Sequence, residues 1–140
     1  METTWILVAS RDEVRIFSQI GRGHIKLERD IGNPFGRLKN QDLESDRAGA
    51  ANDNRIWGRP AYSSEESAKE RALKDFYREV CDQIDHSLSL HHFNQLVLIA
   101  EPRLLGYIRA MLSKNVERAV TRTIAKDLSA ERDQGIESLL

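Results

Sequence analysis

Three acidic residues stand where a phosphodiester-cleaving enzyme would use them: Asp12 after the first apolar run, Glu101 after a later one, and Asp127 near the last. Two-metal hydrolysis gathers several carboxylates around ions about 4 Å apart. The first apolar run itself carries no acid, and strand-end acids commonly sit in solvated turns, so a metal-dependent nuclease is the least favoured reading. His86, His91 and His92 form a second group, with Asp82 one helical turn before His86. Adjacent His91 and His92 point apart if extended, and no Cys or Glu completes a zinc spacing. A histidine near a helix C-terminus has an ordinary dipole rationale. No metal or other cofactor is expected. Cys81 lies on an apolar helical stripe, which suits a buried structural thiol rather than a thiolate in an electropositive, accessible site.

The remaining candidate is a run with neither helical nor strand periodicity, NPFGRLKNQDLESDRAGAANDNRIWGRPAY, from Asn33 to Tyr62. Connections in compact domains are usually about four to six residues, and those beyond roughly fifteen tend to be functional or disordered. Arg37, Lys39, Arg47, Arg55 and Arg59 are offset by Asp42, Glu44, Asp46 and Asp53, so this is no simple phosphate-binding tail. Near its end Trp57 stands between Arg55 and Arg59. An aromatic flanked by arginines can stack a base while the guanidinium groups hold phosphates. The competing reading folds Ile56 and Trp57 over the sheet, with the arginines paired locally.

The elements that must position these residues follow from periodicity. Thr4–Ser10 is a continuous apolar run, as in a strand covered on both faces. Val14–Ile20 suits a second strand, Gly21–Gly23 a hairpin turn, and His24–Ile31 a third strand, giving an antiparallel meander. Asn33–Gly36 has the residue order of a type I turn. Ser63 and Glu66 read as a capping box before a long helix with Leu73, Phe76, Tyr77, Val80, Cys81, Ile84 and Leu88 on one stripe. Asn94–Pro102 reads as a buried strand, with Pro102 in the first turn of a helix carrying Leu104, Leu105, Ile108, Met111 and Leu112. Val120–Ile124 reads as an edge strand. A closing helix over Leu128–Leu140 has Ser129 as its expected N-cap and Gly135 as a local weakness.

The resulting fold class is α/β. A mixed five-stranded sheet, three antiparallel strands followed by two helix-connected ones, is flanked by helices in the element order of a ribonuclease H-like domain. The 140 residues suit a single domain over 1–140, with a long functional loop at about 32–62. Charged residues at 31% against 40% hydrophobic indicate a soluble chain. A net charge of -1 argues against a generally basic nucleic-acid coat but leaves room for a local patch. One cysteine excludes an intrachain disulfide and fits a reducing compartment. The N-terminal apolar run is too short for a signal peptide, and no segment approaches the roughly twenty apolar residues of a membrane span. The expected place is the cytoplasm, with no membrane partner. A homo-oligomer is compatible with the sequence but not fixed by it.

NPFGRLKNQDLESDRAG resembles the signature of bacterial proteins required for attachment to host cells. The segment LVLIAEPRLLGYIR resembles their strand-to-helix stretch, and the closing KDLS also fits. The resemblance runs through essentially the whole chain from WILVASRDEVRIF onward, and QDLESDRAG is its most specific part. That family is similar in turn to the middle domain of eukaryotic and archaeal class-one release factors and their ribosome-rescue relatives. In the release factors a loop before a long helix carries a Gly-Gly-Gln motif that promotes ester hydrolysis in the peptidyl-transferase centre. The run here has the same placement, but reads Trp57-Gly58-Arg59, with one glycine and no glutamine.

The resemblance therefore implies a non-catalytic factor that binds the ribosome or tRNA. Arg55, Trp57, Gly58 and Arg59 would form its contact tip, and Arg37, Gln41, Asp42, Ser45, Asp46 and Arg47 would hold or extend the loop. The alternative is a non-enzymatic protein-interaction factor with an indirect role in host attachment.

Overall fold

The computed structural model describes residues 2–34 and 67–140. Its element order is β1 (Thr3–Ala9), β2 (Glu13–Ile20), β3 (Lys26–Gly32), α1 (Ala68–Ser89), β4 (Gln95–Ala100), α2 (Pro102–Met111), α3 (Lys114–Ala119), β5 (Val120–Ala125) and α4 (Asp133–Glu137). The strands form one mixed sheet in the order β3-β2-β1-β4-β5. The first three pair antiparallel, while β4 pairs parallel to both β1 and β5. The mixed five-stranded sheet and the edge position of Val120–Ile124 are as the sequence indicates.

Trp5 to Ala9 are all buried because β1 lies at the centre of the sheet and is covered on both faces. Trp5, Leu7 and Ala9 meet Leu73, Tyr77, Val80 and Ile84 of α1 together with Leu104 and Ile108 of α2. Ile6 and Val8 face the other way, with Phe17, Val97 and Ile99, and are covered by Leu128 and Ile136 of the closing segment. Every apolar residue of β1 therefore contributes to burial, worth roughly 1.5–3 kcal/mol for a fully buried large side chain.

The start of α1 differs from the sequence reading. The N-cap is Ser67, whose hydroxyl accepts from the Glu70 amide at 3.2 Å. Ser67 and Glu70 have the same spacing as the expected Ser63–Glu66 pair, which lies outside the described residues, as do the last two positions of the expected Asn33–Gly36 turn. At its far end α1 closes in a Schellman motif: His92 N–H donates to Ser87 C=O at 3.0 Å and His91 N–H to Leu88 C=O at 2.9 Å. His91 takes the left-handed position there, with φ of 60°.

Two further differences lie toward the C-terminus. Lys114–Ala119 forms α3, too short at six residues for its pattern to stand out, and is capped by Ser113. The closing helix is confined to Asp133–Glu137, with Arg132 at the N-cap and no side-chain cap bond. Ser129 is not its cap; its amide donates to Asp127 Oδ1 at 3.0 Å. The cause is a long-range contact. Arg15 on β2 donates to the carbonyls of Leu128 at 2.9 Å and Glu131 at 2.8 Å, holding Leu128–Glu131 in a turn rather than a helix.

Candidate functional site at the carboxyl ends of the parallel strands

Neighbouring parallel strands β1 and β4 send their chains in opposite directions. After β1 the chain turns back into β2, and after β4 it continues through α2 and α3 to β5. Divergence of this kind opens a crevice at the strands' carboxyl ends, the usual ligand position in open α/β sheets. Arg11 follows β1 into this region, and Glu101 follows β4. Both described ends of the connection between β3 and α1 also lie here. Asn33 N–H donates to Asp12 C=O at 2.7 Å and its side-chain amide to Arg11 C=O at 2.9 Å. Ser67 opens α1 one turn before Glu70, which binds Arg11.

Glu70 is the hub of the crevice. Its carboxylate accepts from Arg11 Nη1 at 2.8 Å and from the Tyr107 hydroxyl at 3.3 Å, and lies 3.9 Å from Arg103 Nη2. Arg103 Nε donates to Tyr107 Oη at 3.0 Å, while Lys74 Nζ stands 4.9 Å from the centre of the Tyr107 ring. Local spacing produces this arrangement: Glu70 and Lys74 are four apart on α1, and Arg103 and Tyr107 four apart on α2, so each pair shares a helix face. Burial pushes the Glu70 pKa up, but the hydrogen bond and charge of Arg11, aided by Arg103 and Tyr107, outweigh it. The net result lies below the ordinary glutamate value, so Glu70 is an anion at neutral pH. It braces Arg11, Tyr107 and Arg103 as a carboxylate.

The acids named for nuclease chemistry are not brought together. Glu101 caps α2, accepting from Leu104 N–H at 2.7 Å and Arg103 N–H at 3.2 Å. Asp127 receives the Ser129 hydroxyl and amide, which hold its pKa below the ordinary value. Asp12 is exposed in the β1–β2 turn. Among the described residues no three His, Cys, Asp or Glu side chains are placed to hold a metal, and this applies equally to Asp82, His86, His91 and His92. Those residues instead surround the C-terminus of α1, where His86 and His92 border an open groove beside Arg29 and Asp82. Cys81 is buried, and burial, with a smaller contribution from Asp82, pushes its thiol up to about 11. It is therefore an inert core group at neutral pH.

The ten loop residues singled out from sequence, Arg37, Gln41, Asp42, Ser45, Asp46, Arg47, Arg55, Trp57, Gly58 and Arg59, lie outside the described residues. Sequence reasoning missed Arg11, Glu70, Lys74, Arg103 and Tyr107. The two i, i+4 pairs were visible signals, but only the helix packing shows that they meet. No described helix is long and apolar enough to cross a membrane.

Solved structures share this architecture. The chain superposes on an archaeal translation termination factor, aRF1, with a TM-score of 0.52 at 9% identity, covering 86% of this chain and 29% of that one. A second archaeal protein gives 0.51 at 10% identity, covering 98% of this chain and 35% of that one. At such identities the likeness is one of fold, and the chain spans about a third of either structure. An uncharacterized protein of Rickettsia prowazekii (strain Madrid E) is 30% identical over 73 residues, 51% of this chain and 49% of that protein. The profile of one family, described as protein required for attachment to host cells, matches residues 5–140. With nearly its full length matched, the chain belongs to the family of proteins required for attachment to host cells.

Proposed function

We propose that this protein binds the ribosome or tRNA in the cytoplasm without itself hydrolysing peptidyl-tRNA. The observation that carries this reading is the anchoring of the β3–α1 connection: both of its described ends meet at the crevice over β1 and β4, in a fold shared with a translation termination factor. The described residues on either side of this stretch, Asn33 and Ser67, thus lie at the position where open α/β sheets present their ligands. In this reading Arg55, Trp57, Gly58 and Arg59 make the contact, and Arg37, Gln41, Asp42, Ser45, Asp46 and Arg47 support it within one functional domain. Gly58 stands without the second glycine and the glutamine that the hydrolytic motif requires, which supports binding without chemistry.

The test is co-sedimentation of the tagged protein with ribosomes at low and moderately raised salt, comparing wild type with Trp57→Ala/Arg59→Ala. The expected result is association that survives salt and is weakened by the double substitution. Absence from the ribosomal fraction, or binding that ignores the substitutions and vanishes with salt, would overturn the proposal. The family's own description favours a second reading in that event, a protein-interaction factor acting on attachment indirectly.

A further inference from the structure

The two edges of the sheet are charged differently. Along the β3 edge the signs alternate through Lys26, Glu28, Arg29 and Asp30, and they cancel. At the other edge α3 leads directly into β5. From residue 109 to residue 126 the cations Arg109, Lys114, Arg118, Arg122 and Lys126 are set against one acid, Glu117. Charge on an edge strand guards it against pairing with another chain, and either sign serves for that. Edge protection therefore accounts for β3 but not for the single sign beside β5. In a chain with a net charge of -1, so one-sided a run is a segregation of charge, the usual footprint of a polyanion site.

These cations are exposed, and among the described residues Lys114, Arg118 and Lys126 form no ion pair. Glu117 borders the same shallow hollow as Lys114 and Arg118 without pairing to either. Arg122 is partly engaged, its Nη1 donating to the Leu140 carbonyl at 3.5 Å. Because β5 runs parallel to β4, Lys126 lies at the crevice end of the sheet and Lys114 and Arg118 toward the opposite end. The six residues of β5 separate the two ends by about 20 Å at 3.3 Å per residue, a span suited to a polymer rather than a single small anion. Between them Thr121 and Thr123 are exposed and offer hydroxyl groups. The exposed large apolar side chains, Ile20, Leu27, Leu90 and Leu140, all lie off α3 and β5, so this edge has no anchor to insert into a lipid surface. We propose that Lys114, Arg118 and Lys126 form a track for the phosphate backbone of RNA along the outer edge of β5. This rests on the RNA-binding reading above and gives it a second contact, which reaches the crevice end of the sheet at Lys126.

The experiment measures binding of deacylated tRNA across a salt series, with ribosome co-sedimentation in parallel. Wild type is compared with Arg118→Gln/Lys126→Gln and, on the β3 side, with Arg22→Gln/Lys26→Gln. All four sites are exposed, both variants lose the same charge, and unfolding curves establish that each is folded. Lys114→Gln/Lys126→Gln repeats the test should the first pair not fold. The expected result at the β5 edge is a several-fold weaker affinity with a salt slope shallower by about 1–2, each lost phosphate contact accounting for roughly 0.7–0.9. The β3-side variant should bind as wild type does. Equal weakening in both variants would overturn the inference, since overall charge rather than the β5 edge would be responsible. Wild-type affinity and slope in the folded β5-edge variant would also overturn it and leave the RNA-binding reading standing. No binding of wild type to tRNA or ribosomes would remove both. Edge-dependent binding to vesicles of anionic phospholipid, with tRNA binding indifferent to the substitutions, would overturn it in favour of a membrane surface.

Discussion

Tyr77 and Ser10 exchange a pair of hydrogen bonds: the buried hydroxyl donates to the Ser10 carbonyl at 2.5 Å and accepts from the Ser10 amide at 3.1 Å. The side chain of α1 thereby bonds both backbone groups of the residue that follows β1, the amide being shared with the Glu13 carbonyl at 2.9 Å, where the chain leaves the sheet for Arg11. One phenol fixes the direction in which Arg11 emerges toward Glu70. This links the core to the crevice.

Tyr77→Phe should therefore destabilise the fold by about 1–3 kcal/mol, the cost of removing the hydroxyl that donates to the sheltered Ser10 carbonyl. Urea unfolding should show a lower midpoint with an unchanged slope. Burial raises the hydroxyl's pKa far above its ordinary value of 10.0. The native state keeps this proton above that pH while the unfolded chain releases it, so the contribution is complete below pH 10 and declines as pH rises. Tyr77→Phe should lack that alkaline component. A substitution that left both the midpoint and the alkaline profile as in wild type would show that the hydroxyl holds nothing.

Glu70 gives the opposite sign. Its pKa is below the ordinary glutamate value, because Arg11 and its neighbours overcome the effect of burial. The native state therefore holds the carboxylate more readily than the unfolded chain. Its contribution is present above pH 4.5 and is lost as pH falls through the lowered native value. Arg11 is 39% exposed, so screening limits the effect to about 0.5–1 kcal/mol. Glu70→Gln should be less stable than wild type at neutral pH, with the gap closing in acid. A gap that stayed constant across that range would assign the loss to packing rather than charge.

Much of the sheet was legible because its burial is two-sided. A run such as Trp5–Ala9 has no polar face to place in water, so a central strand is its natural position. Val120–Ala125, with threonines and an arginine facing out, reads equally well as an edge. The closing segment was not legible for a different reason. Its helix-forming residues are adjacent in sequence, but the Arg15 group that takes the Leu128 and Glu131 carbonyls is more than a hundred positions away. The site was partly legible in the same sense. Glu70 and Lys74, and separately Arg103 and Tyr107, satisfy a local spacing rule, yet their meeting depends on how α1 packs against α2. Ser67 was obscured by the similar Ser63–Glu66 spacing one turn earlier.

His91 closes α1 with φ of 60°, a conformation that costs a residue with a Cβ roughly 1 kcal/mol relative to glycine. Its amide and that of His92 complete the Schellman bonds, so the backbone has reason to remain there. The imidazole is exposed and no metal cluster among the described residues depends on it. His91→Gly should stabilise the protein by about 0.5–1 kcal/mol and His91→Asn by less, whereas His91→Val should destabilise it. Thermal unfolding of the three variants provides the ranking. If glycine were neutral or harmful, the side chain would have to make a contact strong enough to offset the strain.

Arg15 holds the cover on the second face of the sheet. Its guanidinium donates to the carbonyls of Leu128 and Glu131, its side chain is 13% exposed, and it lies over the Phe17 ring at 5.8 Å. Leu128 and Ile136, which this segment brings down, cover Ile6, Val8 and Ile99. Glu137 provides a second fastening, accepting from the Ile25 amide at 2.8 Å and lying 2.9 Å from His24 Nδ1. Arg15→Ala should cost about 2–3 kcal/mol, since hydrogen bonds from a charged donor are worth more than neutral ones. The effect should be regional before it is global: amide exchange should quicken from Leu128 to Leu140 while Leu73–Ile84 on the opposite face remain protected. Arg15→Lys should recover only part of the loss, because one ammonium cannot reproduce the span of the guanidinium fork. Uniform acceleration of exchange over both faces would show that the closing segment is an integral part of one cooperative core rather than a cover fastened at Arg15.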